Sequence, residues 1–292
     1  MFKTLLGAVS ALTLSLAPAP AIAQDADPAL WVVKDADTTI YLFGTVHAMK
    51  PGLSWFDEAV KSAFDSSGEL VLETIEPPAS ELQALTMRLA LATDGRTLTE
   101  KLPEARRADL AKALAGLGMP ADALDRFEPW FASVILSGLT LPKLGYDPAI
   151  GADRILAQAA RGAGKRLTGL ETPEEQLRLF DAAPEAQQIA YLGTLLGKMD
   201  RIGPVAARIA TLWSAGEPDR LGETMNAEMR RTPDLAKRLI ADRNARWAVW
   251  IAERMKAPGT IFFAVGAGHL GGPGNVRELL AKWGLKAVRI RY

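Results

Sequence analysis

Strand-like segments lie near the two ends of this chain, and a long helix-rich block separates them. A sheet built from them must therefore pair segments that are distant in sequence. Trp31-Val32-Val33 and Thr38-Thr39-Ile40-Tyr41-Leu42-Phe43 flank the polar turn Lys34-Asp35-Ala36-Asp37, a pattern that predicts a hairpin. Leu70-Val71-Leu72 and Arg166-Leu167-Thr168-Gly169-Leu170 follow, and Thr260-Ile261-Phe262-Phe263-Ala264-Val265 and Lys286-Ala287-Val288-Arg289-Ile290 come near the end. Between them, helical patterns cover 79–92, 103–117, 151–163, 186–200, 204–214, 217–229 and 234–256. Ser54 is expected to cap an earlier helix with Asp57 and Glu58 in its first turn, and a last helix runs from Asn275 to Trp283 before Gly284. The predicted fold is α/β: a small mixed β-sheet from the N- and C-terminal segments, with flanking helices and a central helical insertion.

The first residues read as an export signal. Lys3 precedes an apolar stretch from Leu5 to Leu16, and Ala21-Ile22-Ala23 gives a small-x-small cleavage pattern before Gln24. The expected organisation is a signal peptide over 1–23 and a single domain over 24–292, periplasmic or secreted. No later segment reaches the ~18 consecutive apolar residues of a spanning helix, so no membrane span is expected. Basic and acidic residues balance at 34 each, which leaves no electrostatic footprint for nucleic acid. The absence of cysteine removes disulfides, thiolate zinc sites and cysteine nucleophiles from consideration.

There are two histidines, His47 and His269, and both end the same arrangement. Tyr41-Leu42-Phe43 leads into Gly44-Thr45-Val46-His47, and Phe263-Ala264-Val265 into Gly266-Ala267-Gly268-His269. A glycine after a strand permits a sharp turn, a positive φ or close approach of a ligand. An imidazole three residues on can then lie over the strand end, the edge where open α/β sheets bind ligands. A lone histidine there is more often structural, but two in the same place of the same motif point to a shared site. A third strand end supplies an acid: Leu70-Val71-Leu72 runs straight into Glu73. Two histidines and one carboxylate suit Zn, Mn, Fe or Co with open positions; pairing of Glu73 with an arginine is the plainer alternative. Glu76 reads as a loop acid.

Other motifs fail. Gly266-x-Gly268-x-x-Gly271 matches the dinucleotide fingerprint, but no acidic residue follows about 20 positions on. There is no His-Glu-x-x-His helix, Gly-x-Ser-x-Gly elbow or P-loop. Arg243 and Asn244 fall mid-helix, where asparagine is a poor choice, so they are either a solvated face or side chains with a task. Glu171, before the capped start Thr172-Pro173-Glu174-Glu175, reads as capping or scaffold first.

Gly44-Thr45-Val46-His47, Leu72-Glu73, Gly169-Leu170-Glu171-Thr172, Arg243-Asn244 and Gly266-Ala267-Gly268-His269-Leu270 together resemble the TraB/GumN family, which includes the Tiki-type metalloproteases. The resemblance spans nearly the whole chain after residue 23. It implies metal-dependent proteolysis, with manganese or cobalt ahead of zinc, carried by His47, Glu73 and His269 as ligands and catalytic groups and with Arg243 and Asn244 nearby. The family is also similar to erythromycin-esterase-like and ChaN-like haem-uptake proteins. The leading expectation is thus an extracytoplasmic metal-dependent hydrolase of peptide or protein substrates. The rival expectations are a non-catalytic protein binding a peptide, metal or haem, and a metal-free hydrolase using histidine as base.

Overall fold

A computed structural model describes residues 24–227 and 232–292; the expected signal segment 1–23 and the end of the helix expected over 217–229 lie outside them. The strands are β1 (Gln24–Asp25), β2 (Leu30–Lys34), β3 (Thr38–Thr45), β4 (Leu53–Ser54), β5 (Glu69–Leu72), β6 (Arg166–Gly169), β7 (Gly259–Gly266) and β8 (Val288–Ile290). β1 and β4 form a short parallel pair, and the other six form one sheet in the order β6-β5-β7-β3-β2-β8. The predicted hairpin is β2–β3, with Leu30 opposite Phe43 and Lys34 opposite Thr39. Its turn is tied by Asp35, whose Oδ1 accepts from the backbone N–H groups of Asp37 and Thr38 at 3.2 and 2.8 Å.

β7 enters the sheet between β5 and β3 and runs parallel to both, pairing with β3 from Thr38↔Gly259 to Thr45↔Gly266. β6 continues the parallel set beyond β5. The carboxyl ends of β3, β5, β6 and β7 therefore meet at one edge. That edge holds both Gly-x-x-His segments, the Leu72–Glu73 step and the Gly169–Glu171 step.

Strict alternation along these strands builds two apolar layers. Phe43, Leu70, Leu72, Phe262 and Ala264 face one layer, which the helix Ala152–Gly162 closes through Leu156 and Ala160, with Trp55 and Trp213. Ile40, Leu42, Val71, Phe263 and Val265 face the other, closed by Trp247 and Ile251 of the helix Asp242–Arg254 and by Leu280. Each fully buried aromatic or branched side chain contributes on the order of 1.5–3 kcal/mol. The helical block has a core of its own, in which Leu98, Leu114, Leu136 and Leu192 pack together. No helix among the described residues is long and apolar enough to cross a membrane.

Three local expectations need correction. Ser54 does not cap a helix: it belongs to β4, its hydroxyl bonds the Asp57 carboxylate, and the helix Glu58–Ser66 starts after Asp57. The helix Pro129–Lys143 was not expected. Its Val134-Ile135 pair and Gly138 blur the helical period, and packing of Trp130, Ala132 and Leu136 holds it. The segment expected as one helix over 234–256 contains a π-helical turn, Lys237–Ala241, between Pro233–Ala236 and Asp242–Arg254.

Candidate active site at the strand edge

Neither repeated glycine is needed for a left-handed backbone, since neither has a positive φ. They serve close approach instead. A Cβ on Gly44 would stand 3.0 Å from Cα and Cβ of Ala267, so β3 lies hard against the turn Ala267–His269. A Cβ on Gly266 would stand 3.0 Å from Glu73 Oε1. The bare Gly266 N–H instead donates to that oxygen at 2.6 Å.

Glu73 is further held by Arg243 and Gln176, whose Nη2 and Nε2 donate to Oε2 at 2.6 and 3.1 Å. Burial alone would raise its carboxyl. The positive field of His269, Arg243 and His47 and the Gly266 N–H outweigh that and hold it down at about 2.

Arg243 is the hub of the site. It is buried, its Nε and Nη2 grip both oxygens of Glu171 at 2.9–3.0 Å, and Nη1 donates to the Leu239 carbonyl at 3.2 Å. Its guanidinium also lies over the Trp247 ring, 4.5 Å from the centroid. Leu239 sits in the π-helical turn, an irregularity often found at functional sites. Arg246 adds a second cation to Glu171 at 3.0 Å, so two carboxylates face two guanidinium groups. Glu171 is thus not a cap: Thr172 and Glu175 form the capping box, and Glu171 is the counter-ion of Arg243.

His269 is buried beside this cluster. Asn244, fully buried on the same helix, donates through Nδ2 to the Gly274 carbonyl at 2.9 Å, which turns its Oδ1 toward His269 Nδ1 at 2.7 Å. That contact requires a proton on Nδ1 and leaves Nε2 bare, facing Arg243 Nη1 at 3.1 Å. Burial, with Arg243 and His47 adding to it against the pull of Glu73, lowers the imidazole to about 4. Arg243 and Asn244 are therefore not a solvated helix face.

His47 approaches from the other layer of the fold. Its ring is 67 % exposed, with Nδ1 3.3 Å from Asp153 Oδ1. The Asp153 carboxylate beside Nδ1, supported by the charge of Glu73 and opposed by partial desolvation in the cleft and by Arg243, raises it to about 9. His47, Glu73, Arg243 and His269 all line one cleft of about 590 Å³, and Asn244 stands behind His269. The cleft walls are largely apolar, with Leu82, Val134, Leu177, Phe180 and Ile240 contributed by the helical block. Glu76 sits at its rim, paired with Arg154 at 2.7 Å.

The residues that sequence reasoning missed are Asp153 and Gln176, and Glu171 in its true role. Glu171 carried a signal: it stands just past β6, level with Glu73, and its N–H bonds the Glu73 carbonyl at 2.9 Å. Asp153 and Gln176 lie near helix starts and carried none.

Two imidazoles and a carboxylate are a donor set that a divalent metal accepts. The arrangement itself does not fit one. Arg243 occupies both Glu73 Oε2 and His269 Nε2, placing a fixed positive charge where an ion would bind. Among the described residues, no three His, Asp or Glu side chains stand together closely enough to hold an ion.

A parallel-edged α/β sheet with two strand–Gly-x-x-His segments and a strand-end glutamate clamped by a helix arginine defines the class. The profile of the TraB/PrgY/gumN family matches residues 29–289, and the chain belongs to that family. It is similar to an uncharacterized protein of Treponema pallidum (strain Nichols), at 25% identity over 92% of this chain and 85% of the relative. It is also similar to the uncharacterized protein YbaP of Escherichia coli (strain K12), at 22% identity over 87% of this chain and 92% of the relative.

Proposed function

We propose that the cleft is the active site of an extracytoplasmic hydrolase that cleaves peptide chains. The observation that carries this is that one cleft is lined by two histidines and by a carboxylate clamped between Arg243 and the Gly266 N–H; the shifts of His47 upward and His269 downward agree with it. Amide hydrolysis needs one group to take a proton from water and another to give one to the leaving amine. His47, raised to about 9 and open to the cleft, is suited to give the proton. His269 is neutral at pH 7 and takes a proton at Nε2 once the Nη1 group of Arg243 releases it. Arg243 then has a donor free for the developing oxyanion, and Glu73 and Glu171 keep it in place. The cleft, about 590 Å³ with largely apolar walls, lies in the size range of ligand-binding sites. The extracytoplasmic location rests on the N-terminal sequence pattern.

The donor set supports a second reading, in which Mn or Co is held by His47, Glu73 and His269; that reading requires Arg243 to withdraw from two of them. A quenched-fluorescence peptide library, incubated with the chain with chelator and with added Mn, Co or Zn, separates the readings. Cleavage that survives chelation and is lost in His47→Ala and His269→Ala is the expected result. Cleavage only after Mn or Co is added supports the metal-dependent form. Retention of a peptide without any product overturns both in favour of a binding protein.

A further inference from the structure

We propose that Asp153 is the positioning residue of His47: it holds Nδ1 and thereby turns Nε2 into the cleft, toward the edge where Glu73 and His269 stand. The catalytic consequence rests on the hydrolytic reading above; the positioning itself does not.

The backbone brings the two residues together. After β3 the chain is zipped to the segment before the helix Ala152–Gly162, with Asp147 and Met49 exchanging backbone hydrogen bonds at 2.8 and 3.3 Å. The Ala152 N–H donates to the Val46 carbonyl at 2.9 Å. Gly151 allows this approach, since a Cβ there would fall 2.4 Å from the His47 carbonyl oxygen. The helix is anchored in turn by Leu156 and Ala160, both fully buried. Asp153, in its first turn, is thus fixed against the histidine by a rigid element, which is what a precise site requires.

One oxygen of the carboxylate, on a side chain 38 % exposed, is also short of a partner. Asp153 Oδ1 is shielded from water and completes no hydrogen bond, while Nδ1 of His47 stands 3.3 Å away. A buried acceptor left unpaired is costly, so a small turn of the ring that closes the Nδ1–H···Oδ1 bond is favoured. Arg154, the next residue, does not compete, because both its partners are the oxygens of Glu76. The other charges facing His47 are Glu73 from the end of β5 and Arg243 from the opposite helix. With Nδ1 committed to Asp153, the proton that His47 gives or takes is the one on Nε2.

The test is a long-range proton–nitrogen spectrum of the imidazole rings in the full chain across pH. In the wild type, Nδ1 of His47 is expected to stay protonated while Nε2 alone titrates. In Asp153→Ala the neutral ring should divide between its two tautomers, moving the Nδ1 shift, and Asp153→Glu should restore the wild-type pattern. Unchanged His269 signals in the same spectra show that the fold survives. His47 ring signals that are identical in Asp153→Ala and wild type would overturn the proposal. On any library peptide the wild type cleaves, Asp153→Ala should lower kcat on the order of 10²-fold with KM little changed; equal losses in stability and activity with an unmoved tautomer overturn it too. A wild type that cleaves no peptide refutes the hydrolytic reading alone, because the ring signals still decide the role of Asp153.

Discussion

Arg243 is the residue on which the site depends. Its guanidinium separates Glu73 from Glu171 and faces His269, so one side chain neutralises two buried carboxylates and sets the hydrogen bonding of an imidazole. Removing one partner of a buried ion pair leaves an uncompensated charge and costs about 3–5 kcal/mol. Arg243→Leu is therefore expected to lower unfolding free energy by about that much, read from urea denaturation. Arg243→Lys should recover only part of it, because an ammonium cannot reproduce the planar fork gripping both Glu171 oxygens. A loss within experimental error for Arg243→Leu would contradict this role.

At the scale of the element, the repeated Gly-x-x-His motif does two different jobs. Gly44 lets β3 pack against Ala267, and Gly266 lets Glu73 reach the β7 backbone. Gly44→Ala must displace backbone at the turn carrying His269, an overpacking expected to cost about 1–3 kcal/mol. In Gly266→Ala the clash falls on a side-chain oxygen, so the fold should hold while Glu73 shifts. Thermal melts and library cleavage check the contrast: Gly44→Ala loses stability first, Gly266→Ala activity first. Equal behaviour would refute separate roles.

These elements also show what the sequence reveals. Apolar runs ending in Gly-x-x-His or Glu mark strand ends, and parallel pairing brings His47, Glu73 and His269 to one edge. The place of Asn244 in a helix interior was a usable signal because asparagine is costly there. Asp153 was illegible because its position comes from backbone hydrogen bonds between 46–49 and 147–152, which any side chains could make. The helix Pro129–Lys143 was illegible for a different reason: its exposed face also carries apolar residues, Val134 and Leu139, which hide the period of the buried face with Trp130, Ser133 and Leu136.

For the whole molecule, the site links protonation to stability. His269 is held at about 4 against an ordinary 6.5, so between those values the unfolded chain takes up a proton the folded one refuses. Its contribution, on the order of 3 kcal/mol, is fully present above pH 6.5 and lost as pH falls toward 4. Glu73, held at about 2 against 4.5, adds a further loss as pH falls from 4.5 toward 2. His47 has the opposite sign: its contribution is present below 6.5 and fades as pH rises through about 9, moderated by solvent around its exposed ring. Denaturation midpoints across pH should therefore peak near neutrality, and His269→Asn should flatten the curve between pH 6.5 and 4. An unchanged acid limb in that variant would show that His269 is not the group responsible.

With two histidines in the chain, the imidazole resonances can be followed one by one, and their titration beside Glu73→Gln tests the central claim that these residues form one coupled site. The expected result is His47 titrating near 9 and His269 staying neutral down to about 4. Both should move downward in Glu73→Gln, because Glu73 favours the charged form of each ring. Two histidines that titrate together near 6.5 and ignore the Glu73 substitution would contradict it.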